Sequence, residues 1–519
     1  MANSKYEYVK SFEVQDKIML PTYIVLLIDG RNFRRFSEVH KFEKQPLDKR
    51  ALKLMKSCAA AVMEEYSDLI FSYGYSDEFS FIFKKESKFY QRRESKIMSL
   101  LVSFFTSVYT IKWKDFFPHQ KLLYAPSFHA KVIRCPTLEV LQTYLAWRQN
   151  DCHLNNLYDT CNWKLIESGK SETAHGFLKG TRKQEMNEFL FQHGINYKTL
   201  HPIYRQGTCL FKTQVEDIIK YKEDGAPVKR LRRKVMKVRS SNLAGKSFWN
   251  EHSSLLSELG RFEGDIQNIR PEYIESFQFQ DKMMLSTWIV VRIDGCHFHR
   301  FSDAHEFKKP NDEQALNLMN SCAVALLEEF EDIVFAYGVS DEFSFVLKKD
   351  SKLYERHASG IVSTMVSFFS SMYISKWTGF ILQQELKYPP SFDGRAVCYP
   401  SSEILRDYLS WRQVDCHINN QYNTCFWTLV KSGKERREAQ SCLKGTQTQE
   451  KNDLLVEKGI DYTAEPDIFR LGSCIFRDME NKALLEVNCA EDSRKRIVIE
   501  HCNIIDNNFW EAHPWILGE

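Results

Sequence analysis

The sequence lacks the features of membrane proteins and of disulfide-bonded secreted proteins. No apolar run approaches the roughly 18 residues of a membrane-spanning helix, and the first residues contain no apolar core of a signal peptide. Fourteen cysteines are present, but no two form a Cys-x-x-Cys pair, and some, such as Cys58 and Cys322, fall inside predicted helices. We therefore expect an intracellular protein with reduced thiols and no membrane partner.

Two motifs that would indicate other chemistry are incomplete. Ala244-Gly-Lys-Ser247 resembles the end of a phosphate-binding loop, but position 240 is Ser where that loop requires glycine. Cys152 next to His153 could begin a zinc site, yet no second Cys/His pair completes four ligands. The sequence therefore excludes the first motif and gives little support to the second.

Charge of either sign is nearly balanced. The 519 residues carry a net charge of +3, which permits nucleic-acid binding without arguing for it. One basic run, Lys-Arg-Leu-Arg-Arg-Lys at 229–234 and continuing to Arg239, could be a nuclear signal, an RNA contact or a solvated segment. We expect the nucleoplasm as the location, with the cytosol as the alternative.

What the sequence does contain is a long internal repeat. Tyr-Gly-Tyr-Ser-Asp-Glu-Phe-Ser-Phe at 73–81 returns as Tyr-Gly-Val-Ser-Asp-Glu-Phe-Ser-Phe at 337–345. Upstream of each, an apolar run ends in Asp-Gly, at 29–30 and 294–295. The repeat is far longer than a solenoid repeat, so it predicts two enzyme-sized domains, 1–262 and 263–519, joined near 260–268.

The pattern within each copy predicts an α+β fold. In the first copy we expect a strand ending at Gly30, a helix from Asp48 to Tyr66, a hairpin, a helix over 87–113 and a strand over 127–136. This order, β-α-β-β-α-β, is that of a palm-like, ferredoxin-like antiparallel sheet with helices on one face. Each copy would carry an appended helical part. In that part, Trp-Arg-Gln-x-Asp-Cys-His-x-Asn-Asn at 147–156 and 411–420 is either a functional surface or a satisfied structural network.

Two acids in each copy are expected to lie together. Asp77 and Asp341 occupy hairpin tips, and Asp29 and Asp294 end an unbroken apolar strand of the kind found at the centre of a sheet. Paired carboxylates suit Mg²⁺, which takes one or two acids together with substrate phosphates and water. The sequence therefore predicts two Mg²⁺ ions per site and phosphoryl transfer.

These motifs together resemble the tRNA-histidine guanylyltransferase family. The matching pieces are Ile-Asp-Gly-Arg-Asn-Phe at 28–33, the Ser-Asp-Glu hairpins, Phe-Asp-Gly-Arg at 392–395, the Trp-Arg-Gln block and the terminal Phe-Trp-x-x-His. The resemblance covers the chain once per copy. It implies addition of a guanylate to the 5′ end of tRNA-histidine in the 3′-to-5′ direction, with ATP and GTP as co-substrates and a homo-oligomer in which the tandem copies form a pseudo-dimer.

The resemblance also implies roles for individual residues. Metal ligands would be Asp29, Gly30, Asp77, Asp294, Gly295 and Asp341, with Lys309 as a further catalytic residue. Nucleotide contacts would include these acids and glycines with Arg31, Asn32, Phe33, Arg34, Ser76, Arg92, Lys96, Cys296, His297, Phe298, His299 and Ser340. The tRNA contacts would be His153, His417 and Lys451.

Each copy departs from the family pattern in its own places. The first copy has Leu27 where Arg292 matches, and Met186 where Lys451 matches. The second has Cys296 where Arg31 matches, and Gly360 where Lys96 matches. We therefore expect a division of labour in which the second copy performs the chemistry. A palm-type nucleotide cyclase and a non-catalytic tRNA-binding protein remain as alternatives.

Overall fold

The chain forms two compact units. The computed structural model describes residues 4–43, 47–169, 178, 180–222, 224–238, 240–252, 255, 258–259, 277, 281–382, 384–478 and 496–518. The first unit is Asp16–Gln280, and the second unit is Asp281–Glu519 together with Met1–Gln15. These bounds differ from 1–262 and 263–519 because the first fifteen residues belong to the second unit. The predicted join at 260–268 lies outside the described residues.

Each unit is built on a six-stranded antiparallel sheet. The first sheet has the order β4-β1-β3-β2-β5-β6 and the second β10-β7-β9-β8-β11-β12. The first six strands are β1 Tyr23–Gly30, β2 Leu69–Tyr75, β3 Glu78–Phe83, β4 Phe128–Cys135, β5 Thr208–Tyr221 and β6 Pro227–Val238. The other six are β7 Trp288–Gly295, β8 Ile333–Val339, β9 Glu342–Leu347, β10 Phe392–Tyr399, β11 Ser473–Arg477 and β12 Ile497–Glu500. β1 lies between two strands, as its unbroken apolar sequence predicts.

The helices follow the same order in both units. The first unit has α-helices Phe33–Val39, Lys49–Glu65, Glu94–Phe116, Leu138–Glu167, Lys183–Gln192, Pro202–Gln206 and Lys246–Glu251. The second has Phe298–Ala304, Glu313–Glu329, Ala358–Phe380, Ser402–Lys431, Arg436–Leu443, Thr448–Glu457, Asp467–Arg470 and Asn507–Ala512. We call Leu138–Glu167 and Ser402–Lys431 the first and second long helix. Among the described helices, none is both long and apolar enough to cross a bilayer.

Local sequence explains where the helices begin. Asp48 caps Lys49–Glu65 because its side chain accepts a hydrogen bond from the Arg50 amide, which agrees with the predicted helix. The helix expected over 87–113 begins only at Glu94. A short 3₁₀ turn, Phe89–Arg92, precedes it, and three of that turn's residues have positive φ, which an α-helix does not accommodate.

Helices cover both faces of the sheet in the first unit, because the first long helix, part of the predicted appended helical part, covers the face opposite the helix Glu94–Phe116. Val25 and Leu27 pack with Leu141 and Leu145 of the first long helix. The intervening residues of β1 point the other way. On that side Phe81, which pairs with Leu26, contacts Phe105 of the helix Glu94–Phe116.

The N-terminal segment packs on the second unit. Val9 is fully buried in that unit's core, and the Tyr8 hydroxyl donates to Asp407. In the first unit, Phe277 packs against the core and its carbonyl accepts from the Arg134 amide. Phe277 follows Phe12 by 265 positions, the offset that also separates Asp294 from Asp29. Val9 therefore packs on the second unit and Phe277 on the first, although each residue precedes the other copy in the sequence.

Candidate active site

The turn between β2 and β3 brings the two acids of the first unit together. Ser76 and Asp77 form a two-residue turn, since Tyr75 pairs with Glu78 and Ser76 has a φ of +50°. The Gly30 amide donates to the Asp77 carbonyl oxygen at 3.1 Å. The second unit repeats this bond at 3.0 Å, from Gly295 to Asp341. The acid before each glycine thus adjoins the acid in the turn, as predicted.

Glycine is required at Gly30 because the neighbouring groups leave no room for a side chain. A Cβ there would lie 2.8 Å from an Asp77 carboxylate oxygen and 2.4 Å from the Phe33 ring. A Cβ on Gly295 would lie 2.4 Å from the Phe298 ring. Phe33 and Phe298 are themselves mostly buried, and each ring packs against the glycine.

Burial raises the pKa of all four acids, and in each unit the charge of one acid further raises the pKa of the other. Burial, followed by the charge of Asp29, raises the pKa of Asp77 to about 6, and burial raises the pKa of Asp29. In the second unit burial and the charge of Asp341 raise the pKa of Asp294 to about 7, and burial raises that of Asp341 to about 6. Ionised carboxylates in such a place repel one another, and a bound cation would relieve that repulsion.

A third acid stands beside each pair and is held by an arginine. Glu78 pairs across the sheet with Asp29 and forms an ion pair with Arg148 of the first long helix. Glu342 likewise pairs with Asp294, and its carboxylate accepts from Arg412 Nε at 2.7 Å. These ion pairs tie each long helix to its hairpin. Sequence reasoning missed them, although the repeated Ser-Asp-Glu and Trp-Arg-Gln motifs contained both partners.

A cavity of about 650 Å³ opens beside the acids of the second unit. The predicted site residues in its wall are Asp294, Gly295, His297, Phe298, His299, Lys309, Ser340 and Asp341. One face of the second long helix supplies Arg412, Cys416, Asn419, Asn420, Asn423 and Trp427. The side chains on the wall are therefore mostly polar or charged, as a site for a phosphorylated ligand requires.

Comparison with known proteins decides the family. The model for tRNAHis guanylyltransferase matches residues 6–136 and 271–400, and the model for the Thg1 C-terminal domain matches 139–249 and 403–506. The chain belongs to the tRNA-histidine guanylyltransferase family. This result favours the guanylyltransferase interpretation over the nucleotide cyclase.

Several relatives carry the family name. Arabidopsis thaliana tRNA(His) guanylyltransferase 1 is 64% identical over all of this chain and 91% of its own length. Arabidopsis thaliana tRNA(His) guanylyltransferase 2 is 61% identical over the full length of both. The crystal structure of tRNA(His) guanylyltransferase from Saccharomyces cerevisiae is 44% identical, covers 40% of this chain and 93% of its own, and superposes with a TM-score of 0.38.

The nucleotide-binding segments of the family occupy exposed turns after β1 and β7. The Arg31 amide donates to the Ser127 carbonyl, and the Cys296 amide donates to the Ser391 carbonyl. Asn32 and His297 follow in the left-handed region. The Arg34 side chain is 94% exposed, and its Nε lies 3.4 Å from Glu38 Oε1. These segments border the acids, as the family pattern predicts.

Lys309 lies in the cavity wall with its ammonium held in place. Its Nζ donates to Ser302 Oγ at 2.6 Å, lies 3.2 Å from an Asp303 carboxylate oxygen, and sits 5.8 Å from the centre of the Trp427 ring. This cation is the family's candidate for activation chemistry in the second unit. Its counterpart, Lys44, lies outside the described residues.

The structure places Arg92 and Lys96 away from the acids of their own unit. Arg92 is 1% exposed, and its guanidinium donates to the carbonyls of Ile18, Met19, Thr22, Lys85 and Ser87. The expected triphosphate contact by Arg92 is therefore wrong, because every donor group already has a backbone partner. Tyr109 contacts Phe33, the ring next to Gly30. Lys96 lies about 20 Å before Tyr109 along the same helix, so Lys96 does not reach the acids.

The polar block of the long helices is partly structural and partly a site wall. Gln413 holds three backbone groups, donating to the carbonyls of Leu471 and Cys502 and accepting from the Ile504 amide. Asn420 donates to the Tyr462 hydroxyl. Asn419 and Asn423 line the cavity instead. Gln413 and Asn420 therefore belong to a structural network, and a functional surface stays a prediction for the residues that line the cavity.

Of the predicted tRNA contacts, His153 and His417 lie in the middle of the long helices and Lys451 lies in the helix Thr448–Glu457. His153 and His417 are half-buried, and each ring contacts a tyrosine, Tyr197 or Tyr462. Burial, reinforced by neighbouring cations, lowers the pKa of both histidines. Lys451 is buried, and its Nζ donates to the Thr446 carbonyl at 2.7 Å. It can reach RNA only by leaving that position, so its contact stays a prediction.

Proposed function

We propose that this chain adds one guanylate to the 5′ end of tRNA-histidine in the 3′-to-5′ direction. The observation that carries the proposal is the match of both family models, twice each, across nearly the whole chain. Two features of the fold support it. The paired acids lie at the ends of internal strands, and the strand order β4-β1-β3-β2 is that of a ferredoxin-like palm. In the proposed reaction ATP adenylylates the tRNA 5′-phosphate and releases pyrophosphate. The GTP 3′-hydroxyl then attacks that phosphorus and releases AMP, and pyrophosphate is later removed from the new 5′ end by hydrolysis.

We propose Mg²⁺ as the cofactor, with two ions per site. Asp29, the Gly30 carbonyl and Asp77 would hold them in the first unit, and Asp294, the Gly295 carbonyl and Asp341 in the second. These donors are all hard oxygens, and the raised pKa of the acids indicates that burial and neighbouring acids disfavour their ionised forms, a cost that a bound cation would offset. Within the described ranges, no cluster of three or more His, Cys, Asp or Glu side chains could hold a metal. When bound, the ions would stabilise charge on the attacking and leaving oxygens.

The protein's own residues bind and position the reactants. The Ser340 hydroxyl donates a hydrogen bond to the Asp341 carboxylate at the hairpin tip. Lys309 lines the cavity. The Arg412–Glu342 pair fixes the helix wall relative to the acids. Phosphoryl transfer of this kind depends mainly on positioning and charge neutralisation, so no side-chain base is required.

We assign the chemistry to the second unit. Support comes from the cavity beside Asp294 and Asp341 and from Lys309 in its wall. The first unit would hold the GTP triphosphate and act as a fixed partner. The nuclear location and the homo-oligomer with a tandem pseudo-dimer stay predictions.

A 5′-extension assay on tRNA-histidine tests the assignment. Asp294→Ala with Asp341→Ala should abolish guanylate addition, whereas Asp29→Ala with Asp77→Ala should leave activity measurable. Full activity in the first variant would refute the assignment to the second unit. If the unaltered chain shows neither adenylylation of tRNA-histidine nor guanylate addition, the proposed function is refuted.

A further inference from the structure

The two long helices present nearly the same face to their acids. In the second unit that face lines the cavity and consists of Arg412, Cys416, Asn419, Asn420, Asn423 and Trp427. Most of these residues are three or four positions apart, which places them on one side of the helix. In the first unit the same positions hold Arg148, Cys152, Asn155, Asn156, Asp159 and Trp163. Five of the six are identical. The exception replaces the neutral amide of Asn423 with the carboxylate of Asp159.

Asp159 lies one helical turn after Asn155, whose side-chain amide donates to the hydroxyl of Tyr75 beside the hairpin tip. The negative charge of Asp159 contributes to the raised pKa of Asp77. Asp159 is open to solvent on one side, yet flanked by enough protein to raise its own pKa to about 6. Within the described part of the chain, no hydrogen bond or ion pair joins it to another residue. Asp159 therefore holds the position from which Asn423 lines the cavity of the second unit.

A second exchange on the same wall has the same sign. Lys308 lines the cavity of the second unit, and its amide donates to Asp312. Glu43 holds the equivalent place in the first unit, since its amide donates to Asp48, the matching helix cap. Both differences put a more negative side chain at these two wall positions of the first unit, where the Glu43 carboxylate lies 3.8 Å from Arg50 Nη2. Such a site disfavours a polyphosphate, because like charges repel strongly where the protein displaces water.

We propose that Asp159 is a specificity-determining residue that excludes the activating nucleoside triphosphate from the first unit. ATP-dependent activation is thereby confined to the second unit, where Asn423 leaves the wall neutral. This inference rests on the proposed function and names the residue that makes its two sites unequal.

Binding measurements test the inference directly. In the full chain carrying Asp294→Ala and Asp341→Ala, calorimetry with Mg²⁺ and a non-hydrolysable ATP analogue measures what the first unit takes up. Adding Asp159→Asn should tighten that binding at least tenfold, and Glu43→Lys should tighten it further. Glu139→Gln removes one charge from the same helix far from the acids, and it should leave the affinity unchanged.

The reciprocal change tests the second unit. Asn423→Asp in the otherwise unaltered chain should raise the KM for ATP at least tenfold in tRNA adenylylation, with thermal melting confirming the fold. If the unaltered chain adds no guanylate, the proposed function fails. If it does, but Asp159→Asn leaves analogue binding unchanged and Asn423→Asp leaves the KM unchanged, the inference about Asp159 is overturned.

Discussion

Replacing Asp341 with asparagine should make the protein more stable and inactive at once. The folded state raises the pKa of Asp341 to about 6 because the carboxyl is buried beside other acids. At neutral pH the group is nevertheless ionised, so the folded state carries an electrostatic penalty that the unfolded chain lacks. Asparagine keeps the shape of the side chain and removes the charge.

The magnitude follows from the pKa shift. An unfolded Asp titrates near 3.9, so a folded pKa of about 6 corresponds to at most about 3 kcal/mol at neutral pH. The hydrogen bond from Ser340 to the carboxylate weakens in the variant, which leaves a gain of about 2 kcal/mol. For a unit of this size that gain corresponds to roughly 4–8 °C in melting temperature.

The pH dependence gives the sign. A raised acid pKa causes no penalty below about pH 4, where both states are protonated, and the full penalty above about pH 6. The melting temperatures of Asp341→Asn and the parent should therefore coincide near pH 4 and separate by several degrees at pH 7.5.

Two comparisons make the assay decisive. Asp77→Asn should stabilise the first unit to a similar extent, since burial and Asp29 raise the pKa of Asp77 to about 6 as well, but guanylate addition should persist. Mg²⁺ with GTP should raise the melting temperature of the parent second unit and not that of Asp341→Asn. A variant no more stable than the parent at pH 7.5, or equally stabilised at pH 4, would contradict the electrostatic argument.

Three further perturbations probe the site and its supports. Arg412→Met should destabilise the second unit by about 3–5 kcal/mol in thermal melting, because Glu342 loses its nearest cation, and adding Glu342→Gln should recover part of the loss. Deleting residues 1–15 should increase amide hydrogen exchange within 281–518 and reduce guanylate addition. The reason is that the deletion removes buried Val9 and the Glu13–Arg395 ion pair. Unchanged hydrogen exchange there would contradict the packing of this segment on the second unit. Guanylate addition should rise with pH through about 7 at low Mg²⁺, because burial and Asp341 raise the pKa of Asp294, and the rise should move to lower pH as Mg²⁺ increases; a fixed midpoint would argue against a metal on this acid.

The sequence predicted those parts of the site that depend on short-range patterns. A two-residue polar turn between apolar runs specifies a hairpin, so the position of Asp77 at its tip followed directly. An unbroken apolar strand must be covered on both faces, which placed Asp29 at the sheet centre beside that hairpin. Both conclusions needed only local composition and the pleat of a strand.

The parts that failed depend on which distant segment arrives. Arg92 reads as a free cation before a helix, but five carbonyls from two other stretches of chain converge on its guanidinium. The packing of Val9 on the second unit and of Phe277 on the first could not be predicted either. Tyr8 and Phe12 recur as Tyr273 and Phe277, so either copy of the segment carries the side chains that either core requires.

The first unit retains acids that are costly in the folded state. Burial raises the pKa of Asp77 to about 6 and that of Glu78 to about 7, even though Arg148 pairs with Glu78. Asparagine at position 77 would relieve this penalty without altering the hairpin, so a unit that had become only a scaffold would gain stability by losing that charge. The retained charge therefore argues that the first unit still binds a cation. Because Asp159 makes its helix wall negative, that cation would serve a nucleotide held by the turn at 31–34 rather than one lying along the long helix.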